Sequence, residues 1–206
     1  MELTEAVARR RMVRNTTGEP VDPAVVRRIL DQARRAPSAG FSQGQRFVVV
    51  TEEATRRRIA ELADEPAYVA KGFDPWLSTA PVHVVPCADE RAYRSRYAEP
   101  DKTGGPTRRA APEASPSDWP VPYWHVDAGA ALMLLLLAVV DEGLAAGFAG
   151  VHGLAGLREL LGIPAGVHPL GVVTIGHPAP DRRSRSLDRG WRDLDEVVSW
   201  GRWSGP

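Results

Sequence analysis

One stretch constrains this chain more than any other. Residues 128–140 contain only Ala, Gly, Leu, Met and Val, with Asp127 before them and Asp141 and Glu142 after. A bilayer core needs about 20 consecutive apolar residues, so this run is too short to span one and has to be buried in protein. Leu132, Met133, Leu134, Leu135, Leu136 and Leu137 would point in every direction around a helix. The expected element is therefore a helix over residues 126–146, apolar on nearly all faces and central to a core. A chain of 206 residues, 43% hydrophobic and 25% charged, is large enough to wrap such a helix within one domain, residues 1–206, without disulfides or metals.

Other elements alternate around it. Asp22 can cap a helix over residues 23–35, Pro23 suits its first position, and Val26, Ile29, Leu30 and Ala33 form its apolar stripe. Pro37 stops it, because a residue before proline avoids helical geometry. Residues 46–51, with Phe47, Val48, Val49 and Val50, read as a buried strand, and residues 81–87 and 171–175 as two more. Short helices are expected at 55–63, 153–161 and 194–200, with a basic loop at 181–192. Residues 99–122 lack periodicity and are crowded with Pro, Gly, Ser and Ala, as in a long functional or disordered loop. Helices and strands are interspersed, which gives an α+β or α/β domain with no internal repeat.

Several chemistries lose their support. The net charge of +0 gives no global attraction to nucleic acid or an anionic membrane. Residues 1–14 lack the apolar stretch of a secretory signal, and the single Cys87 forms no internal disulfide, both of which fit a cytoplasmic protein. Only Lys71 and Lys102 are lysines, a bias we ascribe to base composition. His83, His125, His152, His168 and His177 are scattered, without metal-ligand spacing, so no metal site is expected. There is no phosphate loop and no serine elbow. Gly147, Gly150, Gly153 and Gly156 are expected to follow a helix rather than a strand, unlike a dinucleotide fingerprint.

Three segments remain. Arg10, Arg11, Met12, Val13 and Arg14 precede the first strong helix; alone, they read as a solvated face. Ala36, Pro37, Ser38, Ala39, Gly40, Phe41, Ser42 and Gln43 form a polar turn that elsewhere would be a mere connection. Arg182, Arg183, Ser184 and Arg185 resemble a solvated tail. Their order carries more than any one of them. With Pro20-Val21, Asp127-Ala128-Gly129, Gly143-Leu144, a Leu-Gly-Ile-Pro segment at 161–164 and Gly176-His177-Pro178, the whole chain resembles the nitroreductase superfamily.

That resemblance implies a three-layer α/β/α fold of the α+β class, with a mostly antiparallel central sheet and a long buried helix. It also implies a domain-swapped homodimer with FMN at the two-fold interface, and NADH or NADPH as donor. Arg10 matches the family's phosphate-binding arginine, with Arg183 and Arg185 as C-terminal partners; Arg14 matches the cation at the flavin's pyrimidine edge. Pro37, Ser38, Ala39, Gly40 and Gln43 would face the ring and ribityl chain, and Phe41 would pack against the ring or line the substrate pocket. Gly150, flanked by Ala149 and Val151, stands where a backbone N–H meets flavin N5, and Arg11 and Met12 complete the set. No protein nucleophile is expected, only ping-pong transfer through the flavin to a nitroaromatic, quinone or similar conjugated acceptor.

Two departures matter. Met12 replaces the family's usual serine and Phe41 its frequent asparagine. The Gly-Phe-Ser-Gln text at 40–43 is closer to the branch that cleaves reduced FMN with oxygen to 5,6-dimethylbenzimidazole, but that branch carries an aspartate at the position of Met12. Cleavage is therefore the second reading, and a non-catalytic flavin-storage protein the third; a deazaflavin in place of FMN is compatible with the sequence. Trp119, Tyr123 and Trp124 read first as packing residues, and alternatively as an aromatic lid over a flat substrate. Trp200 and Trp203 are expected to pack on the partner chain.

Overall fold

The structure is a computed structural model and describes residues 1–103, 119–150, 154–182 and 184–204. In chain order the elements are α1 (Leu3–Arg9), α2 (Pro23–Ala33), β1 (Gln45–Val50), α3 (Glu53–Leu62), α4 (Glu65–Ala70), β2 (Val82–Asp89), α5 (Glu90–Tyr97) and α6 (Pro100–Thr103). They continue with α7 (Tyr123–Asp141), β3 (Ala145–Ala149), α8 (Leu154–Leu160), β4 (Val167–Pro169), β5 (Val172–Gly176) and α9 (Leu194–Val197). Short 3-10 turns lie at Ala39–Phe41 and Arg185–Arg189. Local chemistry accounts for α2: the Asp22 carboxylate accepts from the Ala24 N–H at 2.8 Å, and Pro23 starts the first turn.

The strands form one sheet in the order β1-β2-β5-β3, with β4 beside β5 on the same edge of β2; every described pairing is antiparallel. Strand β2 is buried along its whole length because both faces are covered. Val82 and Val84 join the cluster built from α2 and α7, with Ile29, Leu135, Val139 and Ile175 fully enclosed. Val85 and Cys87 face the other way, into the cluster with Ile59 of α3 and Leu157 of α8. The result is a three-layer α/β/α arrangement, in which each fully buried aliphatic side chain stabilises by roughly 1.5–3 kcal/mol.

Helix α7 has 19 residues, longer than the apolar run, and by length and composition alone could cross a membrane. It instead packs Leu135, Leu136, Ala138 and Val139 against α2 and the sheet. It is not covered all round, however: Val126, Gly129 and Met133, one stripe at helical spacing, remain exposed.

The structure corrects several expectations. The helix expected at 126–146 ends at Asp141, because Gly143 turns the chain at φ 73° and residues 145–149 become β3. The text Ala-Ala-Gly-Phe-Ala has good helix formers, but pairing with β5 overrides that weak propensity. Gly147 therefore lies in a strand and Gly150 follows one, not a helix, although β3 is antiparallel to its neighbour and belongs to no parallel βαβ unit. Part of the loop expected at 99–122 is helix α6; residues 104–118 lie outside the described residues. Helix α9 is shorter than expected, and α1, α4, α5 and β4 carried no recognised signal.

Candidate functional site

The segment after α1 runs extended along the end of the sheet. Val13, buried, donates its N–H to Ala146 O at 2.9 Å on β3. On its other side the Arg14 N–H reaches Asp181 Oδ2 (3.3 Å), Asn15 Nδ2 donates to Pro180 O (2.9 Å), and Thr17 N–H donates to His177 O (2.9 Å). Alternation then fixes direction: with Val13 inward, Met12 and Arg14 face outward.

Arg14 lines a cavity of about 800 Å³, together with Trp76, Phe148, Ala149, Gly150, Arg182 and Arg185. That volume lies within the range of about 300–1,000 Å³ typical of cofactor sites. Around Gly150 nothing would meet an added Cβ within 4 Å, so its backbone is open to an approaching group. The Arg14 guanidinium carbon sits 5.9 Å from the Trp76 ring centroid, and no carboxylate pairs with this cation among the described residues. The buried Glu65 supports the same wall: its carboxylate accepts the N–H groups of Trp76 (2.7 Å), Leu77 (2.6 Å) and Ser78 (3.2 Å). Neither Trp76 nor Glu65 was anticipated; one tryptophan and one glutamate far apart in a sequence give no local signal.

The other sequence-derived residues are placed elsewhere. The N–H of Arg10 closes α1 on Ala6 O (2.9 Å), and Arg10, Arg11 and Met12 do not line the cavity. Neither does any residue of the 36–43 turn. Val151 and Arg183 lie outside the described residues.

That turn is bound tightly to a different part of the protein. Gly40, Phe41 and Gln43 all adopt left-handed backbone, at φ 62°, 58° and 50°. For an aromatic residue this is uncommon and costs energy, so the surroundings must impose it. They do. Asp127 Oδ2, on buried α7, accepts both the Ala39 N–H and the Tyr93 O–H at 2.8 Å. Arg96 Nε donates to Gly40 O (2.9 Å), Gln43 N–H donates to Ser38 Oγ (2.9 Å), and Gln45 Nε2 donates to Ala36 O and Pro37 O (3.3 Å each). A Cβ on Gly40 would lie 2.8 Å from the Tyr97 ring, so only glycine lets the turn settle on α5. The turn projects Phe41, 74% exposed, into open space.

Trp124 is enclosed instead, its ring 6.2 Å from that of Tyr93 and 5.7 Å from that of Trp119. This places Trp124 in packing rather than in a pocket wall; Tyr123 stays exposed. Burial pushes the Tyr93 phenol well above its usual range, and Asp127 pushes it the same way, so the hydroxyl stays protonated as a donor. Burial also pushes the Cys87 thiol up to about 11, which removes it as a nucleophile at neutral pH. Among the described residues no group of three or more His, Cys, Asp or Glu could hold a metal.

Comparison with known proteins is consistent with this geometry. The model of the nitroreductase family matches residues 7–177. An FMN reductase [NAD(P)H] of Bacillus subtilis (strain 168) is 30% identical over 188 residues, which are 89% of this chain and 68% of that protein. A putative NADH dehydrogenase/NAD(P)H nitroreductase of Methanothermobacter thermautotrophicus is 28% identical over 191 residues, 91% of this chain and 83% of its own. Among solved structures, the NADPH:FMN oxidoreductase from Vibrio harveyi complexed with NAD+ aligns with TM-score 0.71 at 22% identity, covering 98% of this chain and 78% of that one. The likeness to that structure speaks for the fold.

Proposed function

The chain belongs to the nitroreductase family, and from that premise we propose that it passes reducing equivalents from NADH or NADPH, through FMN, to a nitroaromatic, quinone or similar conjugated acceptor. It is an FMN-dependent NAD(P)H oxidoreductase. When bound, FMN would supply two-electron redox chemistry between the nicotinamide donor and the acceptor.

The observation that carries the reading is the cavity lined by Arg14, whose side chain pairs with no carboxylate among the described residues, by the open backbone of Gly150 and by the cation Arg185. These residues fit a flavin mononucleotide: fixed positive charge for its anionic parts, and a side-chain-free backbone for close approach to the ring. In this reading Arg14 would serve the pyrimidine edge of the ring and favour the reduced state electrostatically, and Gly150, between Ala149 and Val151 in sequence, would offer its N–H toward N5. Arg185, which lines the cavity, would hold the phosphate; the family resemblance gives the same role to Arg10 and Arg183 and sets Arg11 and Met12 by the ribityl chain, but Arg10, Arg11 and Met12 do not line this chain's cavity and Arg183 lies outside the described residues. Transfer needs no protein nucleophile. Its residues bind, orient and exclude water.

One chain does not complete this site. The turn of Pro37, Ser38, Ala39, Gly40, Phe41 and Gln43 is built to present an aromatic side chain outward, yet lines no part of the chain's own cavity. We assign it to the cavity of a second copy, so that the working unit is a homodimer. The exposed α7 stripe supports this, as do Leu3 and Val7 of α1 and the tail residues Trp200 and Trp203, 87% and 82% exposed. Apolar surface of this extent marks an interface. We place the dimer, one domain per chain, in the cytoplasm, where nicotinamide donors are supplied.

The test is direct. Purified protein should take up FMN at about one per chain and oxidise NAD(P)H with a quinone or nitroarene in a ping-pong pattern. Reduced and then exposed to oxygen, it should return intact FMN, because Met12 has no acid or base to assist ring cleavage. Failure of FMN to bind at micromolar concentration refutes the reading, and stoichiometric 5,6-dimethylbenzimidazole would replace it with flavin cleavage.

A further inference from the structure

We propose that Trp76 is a positioning residue for Arg14: its indole face holds the guanidinium at the cavity wall while leaving its positive charge uncancelled for a ligand. This rests on the reading of Arg14 given above. Four observations converge on it. The guanidinium carbon lies 5.9 Å from the Trp76 ring centroid, within reach of a cation–π attraction, which holds the cation without cancelling its charge. A carboxylate partner would do the opposite, consuming the edge donors and cancelling the charge. Asp181 is near enough to bond the Arg14 backbone N–H, yet among the described residues no carboxylate pairs with the Arg14 side chain.

The indole is itself held from two sides. Glu65 fixes its backbone through the N–H groups of residues 76–78. Gly147 makes room for its ring, since a Cβ there would lie 2.8 Å from Trp76 Cζ3 and 2.6 Å from Val13 O. One glycine thus admits both the strand-like segment that carries Arg14 and the ring that supports it. Arg14 is in consequence a held cation whose side chain pairs with no carboxylate among the described residues, and a fixed cation stabilises negative charge on a bound ring more than a mobile one does.

The experiment is a redox titration of the FMN-loaded protein in four forms: wild type, Trp76→Leu, Arg14→Gln and the double variant. Trp76→Leu should lower the preference for reduced over oxidised FMN three- to tenfold, a fall in midpoint potential of about 14–30 mV for this two-electron couple. In the Arg14→Gln background Trp76→Leu should cause no further fall, and Trp76→Phe should restore most of the wild-type value. An equal fall in both backgrounds, or none in either, overturns the proposal. Should Trp76→Leu not fold, Trp76→Phe takes its place: a smaller fall that vanishes without Arg14 supports the proposal, and one that persists overturns it. A second readout needs no cofactor. NMR relaxation of the Arg14 Nε–H in the FMN-free protein should show an ordered side chain that becomes mobile in Trp76→Leu, and a side chain equally mobile in both also overturns it. A protein that binds no FMN refutes the functional reading, whereas one that binds FMN with an unchanged potential refutes only the role of Trp76.

Discussion

Removing the Asp127 carboxylate should loosen the Phe41 turn more than any surface change within it. In Asp127→Ala two hydrogen bonds of 2.8 Å disappear together, one from Ala39 N–H and one from Tyr93 O–H. Bonds to an ionised carboxylate contribute about 1.5–3 kcal/mol each, and a buried hydroxyl left without a partner costs about 1–3 kcal/mol. Tyr93 is fully buried, so its hydroxyl finds no water. Allowing for overlap between these contributions, the loss should be ~3–4 kcal/mol, or about 6–16 °C in Tm for a chain of this size. Tyr93→Phe removes only one donor and should cost ~1–2 kcal/mol. The decisive quantity is the coupling. Once Asp127 is gone, deleting the Tyr93 hydroxyl relieves an orphaned group, so the double variant should be more stable than the sum of the singles by ~1–2 kcal/mol. Urea unfolding at one fixed protein concentration, without FMN, gives the cycle directly. Additivity within ~0.3 kcal/mol would mean that the two groups do not share the bond seen here, and the clamp argument would fail.

Three further outcomes are expected. Phe41→Asn should leave stability within ~0.5 kcal/mol of wild type, because asparagine tolerates φ 58° better than phenylalanine, while shifting kcat/KM between acceptors; an unchanged acceptor profile would remove Phe41 from the substrate face. His83, fully buried with Nε2 on Leu77 O, is held down to about 4 by desolvation, against about 6.5 in the unfolded chain. Its contribution is therefore complete above pH 6.5 and lost as pH falls toward 4, up to ~3 kcal/mol, and an NMR midpoint for the His83 ring above pH 6 would contradict this. Met133→Glu, on the exposed stripe of α7, should dissociate the dimer in light scattering and lower FMN affinity; a flavin-loaded monomer of full affinity would show that each site is complete in one chain.

How much was legible in the sequence depended on how local the cause was. Helix α2 could be read because Asp22, Pro23 and the 3.6-residue stripe all act within its own length, and β1 because Phe47 to Val50 is a β-rich run. Strand β3 could not be read: its residues prefer helix, and only β5 makes them a strand. The site divides along the same line. Arg14, Gly150 and the 36–43 turn were singled out through motif order, and the resemblance implied a site shared between two chains; which of these residues line the cavity of their own chain came only from the structure, which leaves the turn outside it. Trp76, Glu65 and Tyr93 act through contacts made by folding, across stretches no pattern links. Asp127 was read as the polar stop before an apolar run and as part of the Asp127-Ala128-Gly129 motif, not as the carboxylate that ties α7 and α5 to the turn.

The segment that carries Arg14 also does something unrelated to electron transfer. Through Val13 and Ala146 it covers part of the outer side of β3, which would otherwise present unpaired N–H and C=O groups. Open strand edges recruit other strands, and proteins that leave them bare tend to associate in disordered fashion. A chain lacking residues 1–17 should therefore lose solubility as well as cofactor, and its failure in a binding assay would be one of colloidal behaviour before it was one of chemistry. This short stretch thus has two tasks, the one proposed for Arg14 and the concealment of a strand edge by its backbone.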